Sequence, residues 1–217
     1  MPFAARAIGA GFAALFCTCI TAVSAASIMA TVTDDAGRPL ADAVVTITPE
    51  PGTPAPRLAG GPIATAIIDQ KDETFVPSVV VIRTGGTVVF RNGDGIRHHI
   101  YSFAPAHRFE MVQTPGETSA PEVFDKPGPV AIGCNIHDHM TAYILVTDAP
   151  WGMVTDAQGR AAVTGLPAGR FWATVWHPRL RPRVEPPVQP VVLATDSSAL
   201  TVSLPVLPPR RATGRGY

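Results

Sequence analysis

The sequence predicts an all-β protein built from short strands that fold into sandwiches. Proline and glycine are plentiful, with 23 and 19 residues among 217, and they are scattered along the chain. Between them lie short runs of Val, Ile and Thr in which apolar and polar residues alternate, as in half-buried strands. Helical periodicity is scarce. Many short strands separated by closely spaced turns are typical of antiparallel sandwiches.

Residues 1–25 are predicted to form a secretory signal. Arg6 gives a positively charged start, an apolar run follows over residues 7–23, and Ser24-Ala25 supplies small residues for cleavage. A membrane anchor is the alternative, but the run is short for a span and is interrupted by glycines and threonines. We therefore expect a cleaved signal, a periplasmic protein and no membrane span in the mature chain.

Charge and cysteine content narrow the functional classes. The formal net charge is zero, so the sequence gives no sign of electrostatic attraction to nucleic acid or to anionic lipid. Cys17 and Cys19 lie in the predicted signal, which leaves Cys134 as the one thiol of the mature chain. A thiol without a disulfide partner in an oxidising compartment is usually protected by burial or by a metal.

The mature chain begins with a predicted hairpin. Residues 27–33 and 43–48 alternate as strands, and residues 34–40 between them carry the Asp, Gly and Pro of a turn. Residues 51–62 are rich in Pro, Gly and Ala and are predicted to be a linker. Residues 27–50 therefore form one segment of β-structure before the linker.

Strands follow in quick succession over residues 63–149, which we predict to form one antiparallel sandwich. Thr84-Gly85-Gly86 is predicted to be a turn between two paired strands, and residues 92–95 form a second, polar turn. The predicted strands of this domain are residues 64–70, 79–83, 87–91, 96–103, 130–133 and 142–147. About 85 residues are enough to bury a modest core.

The pattern of turns and strands changes after Trp151. The predicted turns and strands beyond it are residues 155–160, 161–163, 166–169, 170–176 and 199–204. We assign residues 151–207 to a second segment of β-structure and residues 208–217 to a loose tail.

The loop between the last two strands of the middle domain carries three potential ligands for a soft metal. Cys134, His137 and Met140 follow one another at intervals of three residues. A thiolate, an imidazole and a thioether suit a copper ion that alternates between Cu(I) and Cu(II), and a second imidazole completes a blue-copper set. His98 and His99 are the candidates for that second imidazole. Zinc fits less well, because methionine is not among its usual ligands.

These residues resemble a cupredoxin. The resemblance rests on Asn92-x-Asp94 followed by His98 and, much later, by Cys134-x-x-His137-x-x-Met140. The short ligand loop is similar to that of amicyanin rather than to the longer loop of plastocyanin. The resemblance covers residues 63–149 and implies a Greek-key sandwich that binds one copper ion, as Cu+ or Cu2+. It implies the ligands His98, Cys134, His137 and Met140.

A longer string resembles the cupredoxin-containing "methylamine utilization protein" group of bacteria. The matching pieces are Arg97-His98-His99-Ile100-Tyr101-Ser102-Phe103, Gly133-Cys134-Asn135-Ile136-His137-Asp138 and Trp176-His177-Pro178. The name of the group records an association, and no residue in these pieces specifies methylamine as a substrate.

The two adjacent histidines compete for one role in this pattern. The spacing from Asn92 and Asp94 favours His98 as the ligand, with His99 as the alternative. Strand alternation argues the other way, because it places His99 on the face with the bulkier side chains. The resemblance implies that His99 hydrogen-bonds the cysteine loop from beside the metal. Asn135 is expected to turn the loop or to hydrogen-bond near the sulfur.

The outer segments resemble a carboxypeptidase-regulatory-like, or transthyretin-like, β-sandwich. Residues 32–45 look like the start of such a domain, and residues 155–171 look like its continuation. We predict that residues 27–50 and 151–207 form one sandwich that is split around the copper domain. Insertion at a loop is physically easy when the two ends of the insert lie close together.

The leading functional hypothesis is a periplasmic single-electron carrier, with a c-type cytochrome or a dehydrogenase as a transient redox partner. The alternative is copper binding for storage, delivery or sensing, without fast electron transfer. An enzyme is not predicted. A multicopper oxidase needs more histidines than the 6 in this chain, and a nucleophilic Cys134 has no signalled base or oxyanion hole.

Overall fold

The all-β prediction is confirmed in a computed structural model of the chain, which describes residues 26–52, 63–194 and 197–209. The strands are β1 (Ala26–Asp34), β2 (Val44–Pro49), β3 (Ile63–Lys71), β4 (Thr74–Val76), β5 (Val79–Asn92), β6 (His98–Phe103), β7 (Arg108–Gln113), β8 (Glu122–Phe124), β9 (Gly128–Cys134), β10 (Thr141–Thr147), β11 (Trp151–Val154), β12 (Arg160–Leu166), β13 (Gly169–Trp176), β14 (Val188–Leu193) and β15 (Ser198–Leu204).

Some predicted segments fall outside this description. The predicted signal at residues 1–25 lies outside it, as do residues 53–62 of the predicted linker and residues 210–217 of the predicted tail. Within the described ranges, no helix combines the length and the apolar character needed to cross a membrane.

The first and last segments of the chain share one core. β1 lies between β12 and β15 in a three-stranded sheet, and a four-stranded sheet has the order β11-β2-β13-β14. The predicted hairpin is therefore wrong, because β1 and β2 belong to different sheets. Alternate residues of both sheets are buried, and together they form a single apolar cluster that includes Ile28, Ile47, Trp151 and Phe171. We call this two-sheet body the outer sandwich.

A close backbone contact joins the N-terminal and C-terminal chain segments of the outer sandwich. The Val32 N–H donates to the Gly159 carbonyl at 2.7 Å. Gly159 has a φ of 70°, in the left-handed region, and a Cβ there would collide with the Val32 carbonyl oxygen. Only glycine meets both requirements without strain, which explains the glycine in the Asp156–Arg160 turn.

The middle of the chain forms a separate eight-stranded sheet around its own core. The strand order is β4-β3-β5-β10-β9-β6-β7, with β8 paired to β5. Its buried apolar cluster contains residues from most of these strands, including Phe90, Ile100, Phe124 and Ile144. We call this body the middle domain, and it carries all of the predicted metal ligands.

The predicted turn at Thr84-Gly85-Gly86 is wrong. Residues on both sides belong to one continuous strand, β5, which pairs with β10 over its first half and with β3 over its second half. A Cβ at Gly86 would lie 2.8 Å from the Arg83 carbonyl oxygen and 3.0 Å from that of Ala64. The glycines therefore permit a bend within a strand, where close backbone approach excludes a side chain.

A third apolar cluster joins the middle domain to the outer sandwich. Val44 of β2 packs with Val79 and Val81 of β5, and partly buried residues of both bodies surround them. The Tyr143 and Trp176 rings meet edge to face, with centroids 6.2 Å apart. The contact is apolar and continuous, so the middle domain is held against the sheet that contains β2.

Two strands of the outer sandwich were not predicted from the sequence. β11 begins at Trp151, where the sequence predicts a change of segment, and β14 contains Pro190. β14 lies at the edge of its sheet. A proline is tolerated there because one side of an edge strand needs no hydrogen-bond donor.

His177 is a buried histidine of the outer sandwich, and each of its two ring nitrogens makes a hydrogen bond. Its Nε2–H donates to the Ala41 carbonyl at 3.1 Å, and its Nδ1 accepts from the Arg179 N–H at 2.9 Å. The side chain is 3% exposed. Burial, and then the nearby Arg179 charge, lower the pKa of His177 from 6.5 to about 4.

We expect His177 to make the protein less stable in acid. Its folded-state pKa lies below the unfolded value, so stability is complete above pH 6.5 and is lost as the pH falls towards about 4. Urea unfolding of the copper-free protein across this range should show a loss about 2 kcal/mol larger than in His177→Gln. Equal losses in the two proteins would contradict this assignment.

Candidate metal centre

The ligand loop connects two paired strands of the middle domain. Cys134 is the last residue of β9 and Met140 directly precedes β10, and the Met140 N–H donates to the His137 carbonyl at 3.0 Å. Gly133 and Thr141 are opposite each other in the antiparallel ladder. Cys134 and Met140 are each 2% exposed and belong to the core of the domain. The ends of the loop are therefore anchored in the core.

Strand register determines which of the two adjacent histidines faces inward. β6 pairs with β9 so that Ile100 lies opposite Cys134. Residues 98, 100 and 102 are buried, while residues 99, 101 and 103 are not. His98, which is 0% exposed, therefore shares the face of the Cys134 side chain and lies two residues further along, beside the ligand loop.

The structure brings together His98, Cys134 and His137. The Cys134 Sγ lies 3.8 Å from the His98 Nδ1 and 3.9 Å from the His137 Nδ1. All three donor atoms lie within 4.8 Å of one another. The two imidazole rings meet at an angle of 61°, with centroids 5.1 Å apart.

These separations fit a common metal ion in a near-trigonal arrangement. Metal–nitrogen and metal–sulfur bonds of about 2.0 and 2.3 Å, spread by about 120°, place a sulfur and a nitrogen about 3.8 Å apart. The Sγ–Nδ1 distances of 3.8 and 3.9 Å match that value. Two imidazoles and one thiolate, with the buried thioether of Met140 on the same loop, are the donor types that favour copper.

Asp94 fixes the orientation of His98. Its Oδ2 lies 2.8 Å from the His98 Nε2. A carboxylate in that position requires a proton on Nε2, which leaves the Nδ1 lone pair free and directed towards the sulfur. Burial alone raises the pKa of the Asp94 carboxyl, but hydrogen bonds from His98 and from two backbone N–H groups hold that pKa below its usual value.

The same carboxylate braces a neighbouring hairpin. β3 and β4 are joined by the two-residue turn Asp72-Glu73, in which both residues have positive φ, of 52° and 51°. The Asp72 N–H donates to Asp94 Oδ1 at 2.6 Å, and the Glu73 N–H donates to Asp94 Oδ2 at 3.1 Å. Asp94 therefore links the tip of this hairpin to a candidate metal ligand.

A buried amide shapes the turn that carries Asp94. The Asn92 side chain accepts a hydrogen bond from the Asp94 N–H at 3.0 Å and donates to the Ile96 carbonyl at 2.8 Å and the Gln113 carbonyl at 3.1 Å. Asn92 is 2% exposed. It closes the loop between β5 and β6 from within, which sets the position of Asp94 relative to His98.

His99 and Asn135 meet through their backbones. The Asn135 N–H donates to the His99 carbonyl at 2.9 Å, which ties the start of the ligand loop to β6. The His99 side chain points away from the three donors, and its Nε2 lies 2.6 Å from Glu110 Oε1 on β7. The link from His99 to the cysteine loop thus comes from its main chain. The Asn135 side chain is exposed.

The contacts of Asp94 and Glu73 with the histidines were not predicted from the sequence. Asp94 was noted only for its spacing, although its separation of four residues from His98 was visible in the sequence. Glu73 lies on a distant hairpin, and its Oε2 is 3.9 Å from the His137 Nε2. No local pattern in the sequence signals that contact.

No family model matches the sequence, and no curated protein matches it. Among solved structures, the chain is similar to a purple cupredoxin from Nitrosopumilus maritimus, at 21% identity over 38% of this chain and 99% of that one, with a TM-score of 0.34. It is similar to amicyanin from Paracoccus versutus at 18% identity over 48% of this chain and 97% of that one, with a TM-score of 0.34.

A third similar structure is the copper-containing nitrite reductase NirK from Thermus scotoductus SA-01. The identity is 24%, the TM-score is 0.35, and the match covers 45% of this chain and 24% of that one. At such identities and scores, the interpretation of the metal centre rests on its own donor atoms.

We expect Asp94→Asn to weaken copper binding. The substitution replaces one of two carboxylate oxygens with an N–H donor, so a contact with His98 or with the hairpin is lost. Loss of such a partner typically lowers metal affinity by about 10–100-fold. Competition with a copper chelator measures the change.

Glu110→Gln is the matched control for this experiment. It alters the same type of carboxylate–imidazole contact, at 2.6 Å, on the outward-facing His99. Its affinity should equal that of the wild type. Equal weakening in both variants would mean that the Asp94 contact has no special connection with the metal.

Proposed function

We propose that this protein is a periplasmic blue-copper protein that carries single electrons between redox partners. His98, Cys134, His137 and Met140 would hold one copper ion. The observation that carries the proposal is the convergence of His98, Cys134 and His137, whose donor atoms lie within 4.8 Å of one another. Bound copper supplies a one-electron couple between Cu(I) and Cu(II).

The origin of the donors supports fast electron transfer. His98 and Cys134 lie on adjacent paired strands, and His137 belongs to a short loop whose two ends are anchored in the core. Asp94 fixes one imidazole by a direct hydrogen bond. Because these supports do not depend on the charge of the metal, the donors keep similar positions in both oxidation states, which limits reorganisation.

Differences in exposure indicate where electrons enter and leave. The His137 side chain is 19% exposed, whereas His98, Cys134 and Met140 are between 0 and 2% exposed. His137 is thus the ligand that a partner protein can approach. A contact centred on one imidazole is small and suits a transient complex with a c-type cytochrome or a dehydrogenase.

A carrier fits the site better than an enzyme. His98, Cys134 and Met140 are almost fully buried, which favours a closed site over one that admits a substrate. Among the described residues, His98, Cys134 and His137 are the one group of three or more His, Cys, Asp and Glu side chains with metal-binding spacing. A trinuclear oxidase cluster needs several more histidines. The alternative of copper storage, delivery or sensing uses the same donors.

We expect the copper-loaded protein to show an intense blue thiolate-to-copper band and the EPR spectrum of a copper thiolate. Cys134→Ala removes the thiolate and should abolish the band, and His137→Ala should abolish it as well. Met140→Leu should keep the band and shift the reduction potential. A Cys134→Ala protein that kept the band would exclude this centre, and a colourless, Cu(I)-only protein would favour storage or delivery.

Comparison of His98→Ala with His99→Ala tests the choice of the fourth ligand. His98 is buried beside the sulfur, whereas the His99 side chain contacts Glu110 on the outer face. His98→Ala should therefore lose the blue band while His99→Ala keeps it, as measured by optical titration with Cu2+. The reverse result would make His99 the ligand.

A further inference from the structure

A cleft of about 340 Å³ lies where the outer sandwich meets the middle domain. The outer sandwich contributes Asp42, which precedes β2, together with His177 and Arg179, which follow β13. The middle domain contributes Ser78 and Tyr143. Small-molecule sites often lie between domains, and their volumes begin at about 300 Å³. The cleft therefore has the location and the size of a site for a small ligand.

The buried side chain of His177 joins the two loops of the outer sandwich that line this cleft. Its Nε2–H donates to the Ala41 carbonyl at 3.1 Å, and its Nδ1 accepts from the Arg179 N–H at 2.9 Å. Burial shields both hydrogen bonds from water. The Trp176-His177-Pro178 sequence, which has no part in the metal centre, thus fixes one wall of the cleft.

A second link holds Asp42 against the middle domain. The Ser78 hydroxyl donates to Asp42 Oδ2 at 3.0 Å, and the Ser78 carbonyl accepts from the Tyr143 N–H at 2.8 Å. Asp42 has a φ of 64°, a conformation that Asp and Asn adopt with less strain than most residues that have a Cβ. The carboxylate therefore has a fixed position at the junction of the two bodies.

Asp42 and Arg179 bring opposite charges to the cleft without pairing with each other. Over residues 26–52, 63–194 and 197–209, no ion pair joins them, and Asp42 Oδ1 makes no hydrogen bond. The Arg179 Nη1 donates to the Leu207 carbonyl at 2.8 Å, which uses one of the five N–H donors of the guanidinium. Both side chains are half-buried. Each charged group therefore keeps bonding capacity for a ligand.

Both charges lie close to the same imidazole. Burial is the main cause of the low pKa of His177, the Arg179 charge lowers that pKa further, and the Asp42 charge raises it. The two charges thus act on one residue between them, although they are too far apart for a direct ion pair. A half-buried charge gains most from a group of opposite charge at close range, and a ligand with both charges serves the two residues at once.

We propose that this cleft binds a small zwitterion, with the ammonium group of the ligand at Asp42 and its carboxylate at Arg179. Free amino acids and betaines have this chemistry. A guanidinium suits a carboxylate because two of its N–H donors can meet the two oxygens. Leu40 and Val79, which are 3% and 4% exposed, line the cleft with apolar atoms beside the carbon atoms of the ligand.

This binding site is independent of the proposed copper function. None of His98, Cys134 and His137 lines the cleft. A ligand in the cleft contacts both the outer sandwich and the middle domain. Because it binds the folded chain only, it stabilises that chain by mass action.

Calorimetric titration of the full, metal-free protein tests the proposal, since amino acids bind copper ions themselves. The probes are L-alanine, L-leucine and glycine betaine, and n-butylamine and butyrate carry one charge each. We expect saturable binding of at least one zwitterion with a Kd of about 1 mM or below, and weaker binding of both single-charge probes. Failure of all three zwitterions to bind would overturn the proposal, as would a single-charge probe that binds as tightly.

Two substitutions assign the ends of the ligand. Asp42→Asn removes the charge but keeps an oxygen for Ser78 and tolerates the positive φ, so the fold is preserved. Asp42→Asn and Arg179→Gln should each weaken the zwitterion by about tenfold or more. Butyrate should bind Asp42→Asn as it binds the wild type, and n-butylamine should bind Arg179→Gln as it binds the wild type. Arg179→Lys, which keeps the charge, should retain part of the affinity.

Asp35→Asn and Arg181→Gln are the matched controls. These exposed side chains form their own ion pair at 2.9 Å and do not line the cleft. Both controls should bind the zwitterion as the wild type does. Equal weakening in the controls would reject the cleft, because general charge would then explain the effect. Wild-type affinity in Asp42→Asn and Arg179→Gln would reject it as well.

Discussion

The contact between Asp94 and His98 is the interaction on which the candidate metal centre depends. A carboxylate that is largely removed from water is costly unless its oxygens are hydrogen-bonded. Asp94 has three such partners: the imidazole of His98 and the N–H groups of Asp72 and Glu73. The same oxygens therefore satisfy a buried charge, fix a tautomer and hold a hairpin. Because the His98 proton lies on Nε2, the lone pair of Nδ1 is free and points towards the Cys134 sulfur.

The four candidate donors come partly from strands and partly from a loop. Two paired strands provide His98 and Cys134, whose separation is set by the backbone ladder. The loop provides His137 and Met140, with ends that are buried in the core. Rigid elements thus fix the inner part of the donor set, and the loop brings one imidazole to the surface. This asymmetry leaves one imidazole accessible from outside while the other donors stay out of contact with water.

Much of this arrangement follows from local sequence patterns. Short alternating strands predict the all-β chain, and the even spacing of Cys134, His137 and Met140 predicts the ligand loop. The choice between His98 and His99 depends on register, because pairing of Ile100 with Cys134 places one parity inside. That pairing joins segments far apart in the chain. The bend at Gly86 has a similar cause, since a Gly-Gly pair serves equally well as a turn or as a kink.

Other features lie beyond local patterns for physical reasons. Glu73 reaches His137 only because a hairpin folds beside the ligand loop, and the sequence between them gives no sign of this. β14 contains a proline, which normally argues against a strand, and its position at a sheet edge removes the objection. In both cases the outcome depends on which element packs beside the segment in the fold, and the local residues do not specify that neighbour.

The order of strands along the chain has a consequence for biogenesis. β1 pairs in parallel with β15, with Ile28 opposite Ser198. The first described strand therefore cannot complete its pairing until the last described strand has been synthesised. The strands of the middle domain pair only among themselves, between residues 63 and 147. In a chain that emerges from its N-terminus, the inserted domain can complete its pairings while β1 and β2 remain unpartnered. The donors of the candidate metal centre can thus be assembled before β1 has paired with β15.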